Sequence, residues 1–182
     1  PSAVAKARNH PDLTEEATSG PWTVFRVAQA EAVAALVAEP AVFDGVGHSG
    51  WLEPAVDVFQ EGTTAVVRTL GGLDGWQRVT SGEHPEVRTL PEVQVTGIIS
   101  GVDQVSFTVD RIGVPVLVRT SFFPNWEADG AVGPWRATPN LMVVVPTNEE
   151  VTLRYGRTPV DVAAILLTVV GLVALGVLAR RP

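Results

Sequence analysis

Apolar and polar residues alternate with a period of two over several short stretches in the second half of the chain. Val105, Phe107 and Val109 alternate with Ser106, Thr108 and Asp110, the pattern of a half-buried β-strand. Residues 93–99 alternate in the same way, with Gly97 at the place of a bulge. Residues 114–121 predict a further strand, whose Pro115 suits a strand start or an edge. Residues 126–128 lead into the turn pair Asp129-Gly130. Residues 141–145 form an unbroken apolar run, as a central strand does, and Val151, Leu153 and Tyr155 alternate again. Short strands at this spacing predict an antiparallel β-sandwich over residues 88–157.

The first half is less regular. Residues 1–20 are polar and read as a lead-in or linker, with turn or cap chemistry at Thr14-Glu15-Glu16 and Ser19-Gly20-Pro21. Residues 22–27 are β-branched and aromatic and predict a strand. Residues 31–38 are rich in alanine and predict a helix that Pro40 stops. A short strand is expected over 41–44, and a short helix over 51–60 with Pro54 near its first turn. A strand is expected over 65–70 and turns over 71–86. Residues 21–87 therefore read as an α+β segment layered onto the sandwich, with no internal repeat.

The pattern changes again at the end. Residues 162–179 carry no charge, Thr168 is their only polar side chain, and eleven of them are Val, Ile or Leu. As a helix they extend about 27 Å, close to the hydrocarbon thickness of a bilayer. On an insertion scale the eleven favour the bilayer by about 3–7 kcal/mol. A transmembrane helix over residues 160–179 is expected, with Val162, Leu166, Val170, Leu175 and Leu178 among the residues of the span. Arg180 and Arg181 follow it and predict a cytoplasmic C-terminus, which places the bulk of the chain outside the cytoplasm. The fold class is thus mainly β with some α: an antiparallel β-sandwich, preceded by an α+β lead-in and followed by one C-terminal transmembrane helix.

Composition sharpens this picture. The mean hydropathy is positive, and much of it belongs to the C-terminal run. Residues 1–159 hold 11 basic and 19 acidic side chains, and Lys6 is the only lysine. That balance argues against a nucleic-acid partner, which requires clustered lysine and arginine. The absence of cysteine removes disulfides, thiolate metal sites and cysteine nucleophiles. The 21 residues at the N-terminus have no signal-peptide pattern. An exported domain without its own signal is expected to belong to a longer protein with upstream spans, and Pro1 in place of a methionine agrees with that.

Candidate chemistry is sparse. Gly45-Val46-Gly47-His48-Ser49-Gly50 matches G-x-G-x-x-G, but the antiparallel character expected of the following strands argues for a plain glycine loop. His10, His48 and His84 are too far apart in sequence for a helical zinc motif. Glu127 and Asp129 flank a turn beside Trp126; paired acids beside a tryptophan suit a glycosidase, while Asp129-Gly130 is equally an ordinary turn. Tryptophan rings stack on sugars, sit at bilayer interfaces or fill cores. Of Trp22, Trp51, Trp76, Trp126 and Trp135, turn residues surround Trp126 and Trp135. These two with Arg136 form the candidate glycan-facing surface. No catalytic residue, metal ligand or cofactor-binding residue is assigned.

The segment Ser121-Phe122-Phe123-Pro124-Asn125-Trp126-Glu127-Ala128-Asp129-Gly130 resembles the S-Y-[YF]-P-G-W-x-A-x-x-[DN]-G stretch of large bacterial membrane proteins of the YfhO-like kind. Pro134-Trp135-Arg136-Ala137-Thr138-Pro139-Asn140-Leu141-Met142 is similar to the actinobacterial branch of that family, as are residues 22–40 more loosely. Asn125 stands where glycine is commoner. The family resembles polytopic glycosyltransferases that use polyprenyl-phosphate sugars. The resemblance implies an extracytoplasmic β-domain and last span of a polytopic protein of glycosyl transfer to lipid or cell-envelope glycans. Its implied partners are the bilayer, upstream spans of the same protein and envelope glycan. The family's acidic residues lie in early loops that have no counterpart here. The competing expectation is a purely structural or protein-interaction β-domain anchored to a membrane.

Overall fold

The computed structural model describes residues 3–28, 30–62, 65–157 and 159–179. The chain divides into two units, Pro1–Ala32 and Val33–Pro182. In the first, a short helix α1 (Ala3–Arg8) precedes an antiparallel hairpin of β1 (Leu13–Ser19) and β2 (Trp22–Val27). Ser19 faces Trp22, so Gly20-Pro21 is a two-residue turn, and Gly20 has the positive φ of +56° that such a turn requires. Ion pairs Arg8–Glu15 and Arg26–Glu16 line the hairpin. The linker expected over 1–20 is therefore largely ordered structure. Its strand was illegible because LTEEATS is exposed along nearly its whole length and has no apolar period.

The second unit contains two larger sheets. Its strands in chain order are β3 (Val33–Ala35), β4 (Ala41–Phe43), β5 (Arg68–Leu70), β6 (Arg78–Val79), β7 (Val95–Ser100), β8 (Gln104–Val109), β9 (Val116–Val118), β10 (Trp126–Asp129), β11 (Ala131–Ala137), β12 (Leu141–Pro146) and β13 (Glu150–Tyr155). Four form an antiparallel sheet in the order β10-β13-β8-β7. Seven form a mixed sheet in the order β3-β9-β12-β11-β5-β4-β6, in which β4 runs parallel to both β5 and β6. Residues from both expected segments, 21–87 and 88–157, thus share one sheet, because β5 pairs with β11 and β3 with β9.

The sandwich core lies between the four-stranded sheet and the β3-β9-β12 end of the larger one. Val105, Phe107, Val109, Val151, Leu153 and Trp126 meet Val33, Val116, Val118, Met142 and Val144 there. Val143 and Val145 point the other way, into a cluster with Val42, Trp76 and Ala137. β12 is buried on both faces, which is why its sequence shows a continuous apolar run rather than alternation. A helix α2 (Leu52–Gln60) follows a 3-10 turn at His48–Gly50 and packs Ala55 and Val58 against Ala41, Phe43 and Val79. Pro54 sits in its first turn, where a missing N–H costs no intrahelical bond.

One local expectation is corrected and one strand was missed. The helix expected over 31–38 is in part the strand β3, because pairing with β9 and complete burial of Val33 outweigh the helix propensity of alanine. β11 was hidden by Gly133-Pro134, which the register shift between Val132 and Trp135 absorbs.

The chain ends in α3 (Pro159–Ala179), a helix of 21 residues. Its described side chains are exposed. Among the described residues no helix is long and apolar enough to cross a membrane. Arg180 and Arg181, the expected cytoplasmic anchor, lie outside the described residues.

Candidate functional site

The three residues expected to face a glycan are held in different places. Trp126 opens β10 with its side chain in the inter-sheet core, 6% exposed, and its ring meets Tyr155 edge-on at 5.4 Å. Alternation along β10 explains this: Trp126 and Ala128 point inward, while Glu127 and Asp129 point out. Trp135 lies in the seven-stranded sheet, half-buried on the face away from that core. Its ring packs edge-on against Trp76 with centroids 5.2 Å apart. Gly71 and Gly72 make room for the pair. A Cβ on Gly71 would stand 2.9 Å from the Trp135 ring, and one on Gly72 would stand 2.3 Å from the Trp76 ring.

Arg136, one residue further on, takes the opposite face of the sheet. Its guanidinium lies 4.9 Å from the centroid of the buried Trp51 ring, and its Nε donates to Asn140 Oδ1 at 2.8 Å. Trp51 Nε1 in turn donates to the Pro139 carbonyl at 3.0 Å. Burial lowers the Arg136 pKa from its ordinary value. The expected surface is therefore not assembled: Trp126 fills a core, and Trp135 and Arg136 serve opposite faces. The most exposed tryptophan is Trp22, at 76%.

The sequence reading missed Arg68. It occupies an inward position of β5 between Val66 and Leu70 and is 2% exposed. Its Nη2 donates to Glu61 Oε2 at 3.2 Å and to the Glu83 carbonyl at 3.4 Å, while Nη1 has no hydrogen-bond partner. A cavity of about 160 Å³ adjoins it, lined also by Val66, His84 and Val87. The signal that betrays Arg68 is a charged residue at an inward position of an apolar strand. Glu83 is held below the usual carboxylate range by hydrogen bonds from the Thr80 N–H and hydroxyl.

The remaining candidates stay apart. The loop from Gly45 to Gly50 does join a strand to a helix, and the parallel pairing of β4 with β5 corrects the antiparallel expectation. In a dinucleotide site the third glycine permits close helix–strand packing, whereas a Cβ on Gly50 would meet nothing within 4 Å. β5 ends on Leu70, not on an acid. Glu127 and Asp129 are exposed on β10 and face Arg154 and Thr152 of the neighbouring strand. Among the described residues no three His, Asp or Glu side chains gather in a metal-binding group. A groove of about 610 Å³ lies at the end of the sandwich lined by Asp110, Arg111, Ile112, Thr147 and Glu149. No family model, no curated protein and no solved structure matches the chain.

Proposed function

We propose that the chain is a non-catalytic extracytoplasmic β-domain fixed to a membrane by α3 as a membrane span. The observation that carries this reading is α3 itself. Its 21 residues extend about 31 Å, a length comparable with the hydrocarbon thickness of a bilayer. A helix that is apolar all round belongs in a core or in lipid. The described side chains of α3 are exposed, including Val162, Leu166, Val170, Leu175 and Leu178, so a core is not their environment. The hydroxyl of Thr168 donates to the Ala164 carbonyl at 2.8 Å, so this polar group is satisfied within the helix, as lipid requires. Arg180 and Arg181 orient the C-terminus to the cytoplasm.

The parent is proposed to be a polytopic protein of glycosyl transfer to lipid or envelope glycans, on the resemblance of residues 121–130. The separation of Trp126, Trp135 and Arg136 favours a second reading for this domain: a structural or interaction module that takes no glycan. Alkaline carbonate extraction tests the anchor. The chain should stay in the membrane pellet, and release into the supernatant overturns the span. The full reading frame tests the parent. Several upstream spans with acidic residues in the first extracytoplasmic loop support glycosyl transfer, and a lone signal peptide overturns it.

A further inference from the structure

The two ends of the sandwich differ in character. The antiparallel register brings the start of β10, the end of β13, the start of β8 and the end of β7 to one end, through Trp126 facing Tyr155, Arg154 facing Gln104 and Ser100 facing Val105. The Tyr155 N–H donates to the Asp103 carbonyl at 2.8 Å, which sets the β7–β8 turn beside it. The loop before β10 comes to the same place: Phe123 meets the Tyr155 ring edge-on at 6.2 Å, and Gly156 N–H donates to the Asn125 carbonyl at 2.8 Å. The first turn of α3 is tied here as well, since Asn125 Nδ2 donates to Asp161 Oδ2 at 3.4 Å.

Large apolar side chains are exposed at this end. Val102 at the tip of the turn is 100% exposed, and Ile99, Phe123 and Tyr155 are about half-exposed or more. Single exposed apolar residues need no explanation, but these four share the end from which α3 departs. The opposite end presents Asp110, Arg111, Thr147, Asn148 and Glu149 around its groove, with the exposed Ile112 as the one apolar side chain of that lining. Tyr155 precedes Pro159 by four residues, at most about 14 Å of extended chain. The polar zone of a bilayer is about 5–8 Å deep on each side. A span that starts at Pro159 therefore keeps these side chains within about 14 Å of the hydrocarbon, near the depth where aromatic rings are enriched.

We infer that this end of the sandwich is seated in the phospholipid interface, with Val102, Phe123 and Tyr155 at the headgroup–acyl boundary and the exposed Arg157 among the phosphates. The inference rests on the reading of α3 as a span. Because the chain has no cysteine, single-cysteine variants carry an environment-sensitive fluorophore at one site each. The variants are Val102→Cys, Phe123→Cys, Asn148→Cys and Val170→Cys, in vesicles of phosphatidylcholine and phosphatidylglycerol. Quenching is read with nitroxides placed at the headgroup or deep in the acyl chain. The label at Val170 should lose most of its emission to the deep quencher. Labels at Val102 and Phe123 should lose most of theirs to the shallow one, and the label at Asn148 to neither. Equal, weak quenching at Val102, Phe123 and Asn148 with deep quenching at Val170 overturns the seat and leaves the span intact. No deep quenching at Val170 overturns the span, and the seat with it. Val102 packs against nothing, so its variant decides the question even where Phe123→Cys fails to fold.

Discussion

Asn125 and Gly156 hold each other through two hydrogen bonds. The Gly156 N–H donates to the Asn125 carbonyl at 2.8 Å, and the Asn125 side-chain amide donates back to the Gly156 carbonyl at 3.2 Å. The first continues the β10–β13 ladder one step beyond the facing pair Trp126 and Tyr155. The second is special to asparagine, whose side-chain amide reaches across to the Gly156 carbonyl. Asn125→Ala keeps the backbone bond and removes the amide. It should cost about 0.5–1.5 kcal/mol, the usual net value of a hydrogen bond. Denaturant unfolding in detergent followed by tryptophan emission reads the change as a lower midpoint at constant slope. An unmoved midpoint would show that the amide contributes nothing.

Gly130 turns the chain from β10 into β11 with φ at +78°, and its carbonyl accepts from the N–H groups of Thr147 and Asn148. A Cβ there would stand 2.3 Å from the backbone carbonyl oxygen of Glu150. Gly82 has nearly the same φ, +81°, with nothing within 4 Å of a Cβ. Gly82→Ala should cost about 1–2 kcal/mol for the left-handed conformation alone. Gly130→Ala should cost clearly more, because the clash is with backbone. Equal losses for the two variants, measured by the same unfolding experiment, would rule out the close approach.

Arg68 is buried with one guanidinium nitrogen unpartnered, and its carboxylate partner Glu61 is partly exposed. A buried charge without its partner is worse than an apolar side chain of similar volume in the same place. Glu61→Ala should therefore destabilise by about 1–3 kcal/mol, while Arg68→Met should stay within about 1 kcal/mol of the parent. The double variant should recover most of the loss from Glu61→Ala. A double-variant cycle of unfolding free energies measures this, and additive losses would contradict it.

Much of the sandwich was legible because its strands obey the simplest rules. β8 alternates since one face is wet, and β12 is uniformly apolar since both faces are dry. α2 was marked by Pro54 at its start. What escaped depends on long-range pairing. β3 reads as helix until β9 claims it as an edge partner, and β11 has no clear period of its own because its bulge takes up Gly133-Pro134. The candidate site failed for a different reason. The turn at Asp129-Gly130 suggested an exposed Trp126, yet the alternation of Trp126 and Ala128 with Glu127 and Asp129 already pointed the ring inward.

Two exposed carboxylates make stability depend on acid pH. Glu83 is held below its ordinary value of 4.5 by hydrogen bonds from Thr80. Glu15 is held below the same value, first by the side-chain hydrogen bond from Arg8 and then by that from Thr18. A folded-state pKa below the unfolded one means that the ionised form is favoured by folding. The contribution is complete above pH 4.5 and is lost as the pH falls through the depressed folded values. Side-chain carboxyl titration by NMR should show both groups ionising below the ordinary glutamate value of 4.5. Arg8→Ala should move Glu15 upward and leave Glu83 in place. A Glu15 titration unchanged in that variant would contradict the assigned cause.

Trp22 is the most exposed tryptophan, on an exposed hairpin, whereas Trp51, Trp76 and Trp126 are buried and Trp135 is half-buried. Acrylamide reaches a ring only through solvent, so the readily quenched part of the emission should belong mainly to Trp22. Trp22→Phe should remove that part. Trp126→Phe should leave it and instead lower stability, because it leaves space in the inter-sheet core beside Tyr155. The two outcomes separate a ring that binds from a ring that packs. If Trp126→Phe abolishes the quenchable emission without loss of stability, the ring faces solvent and a glycan-facing role for it is open again. If the loss falls on Trp22→Phe, the tryptophan ring available to a partner lies on the N-terminal hairpin, outside the sandwich that the sequence singled out.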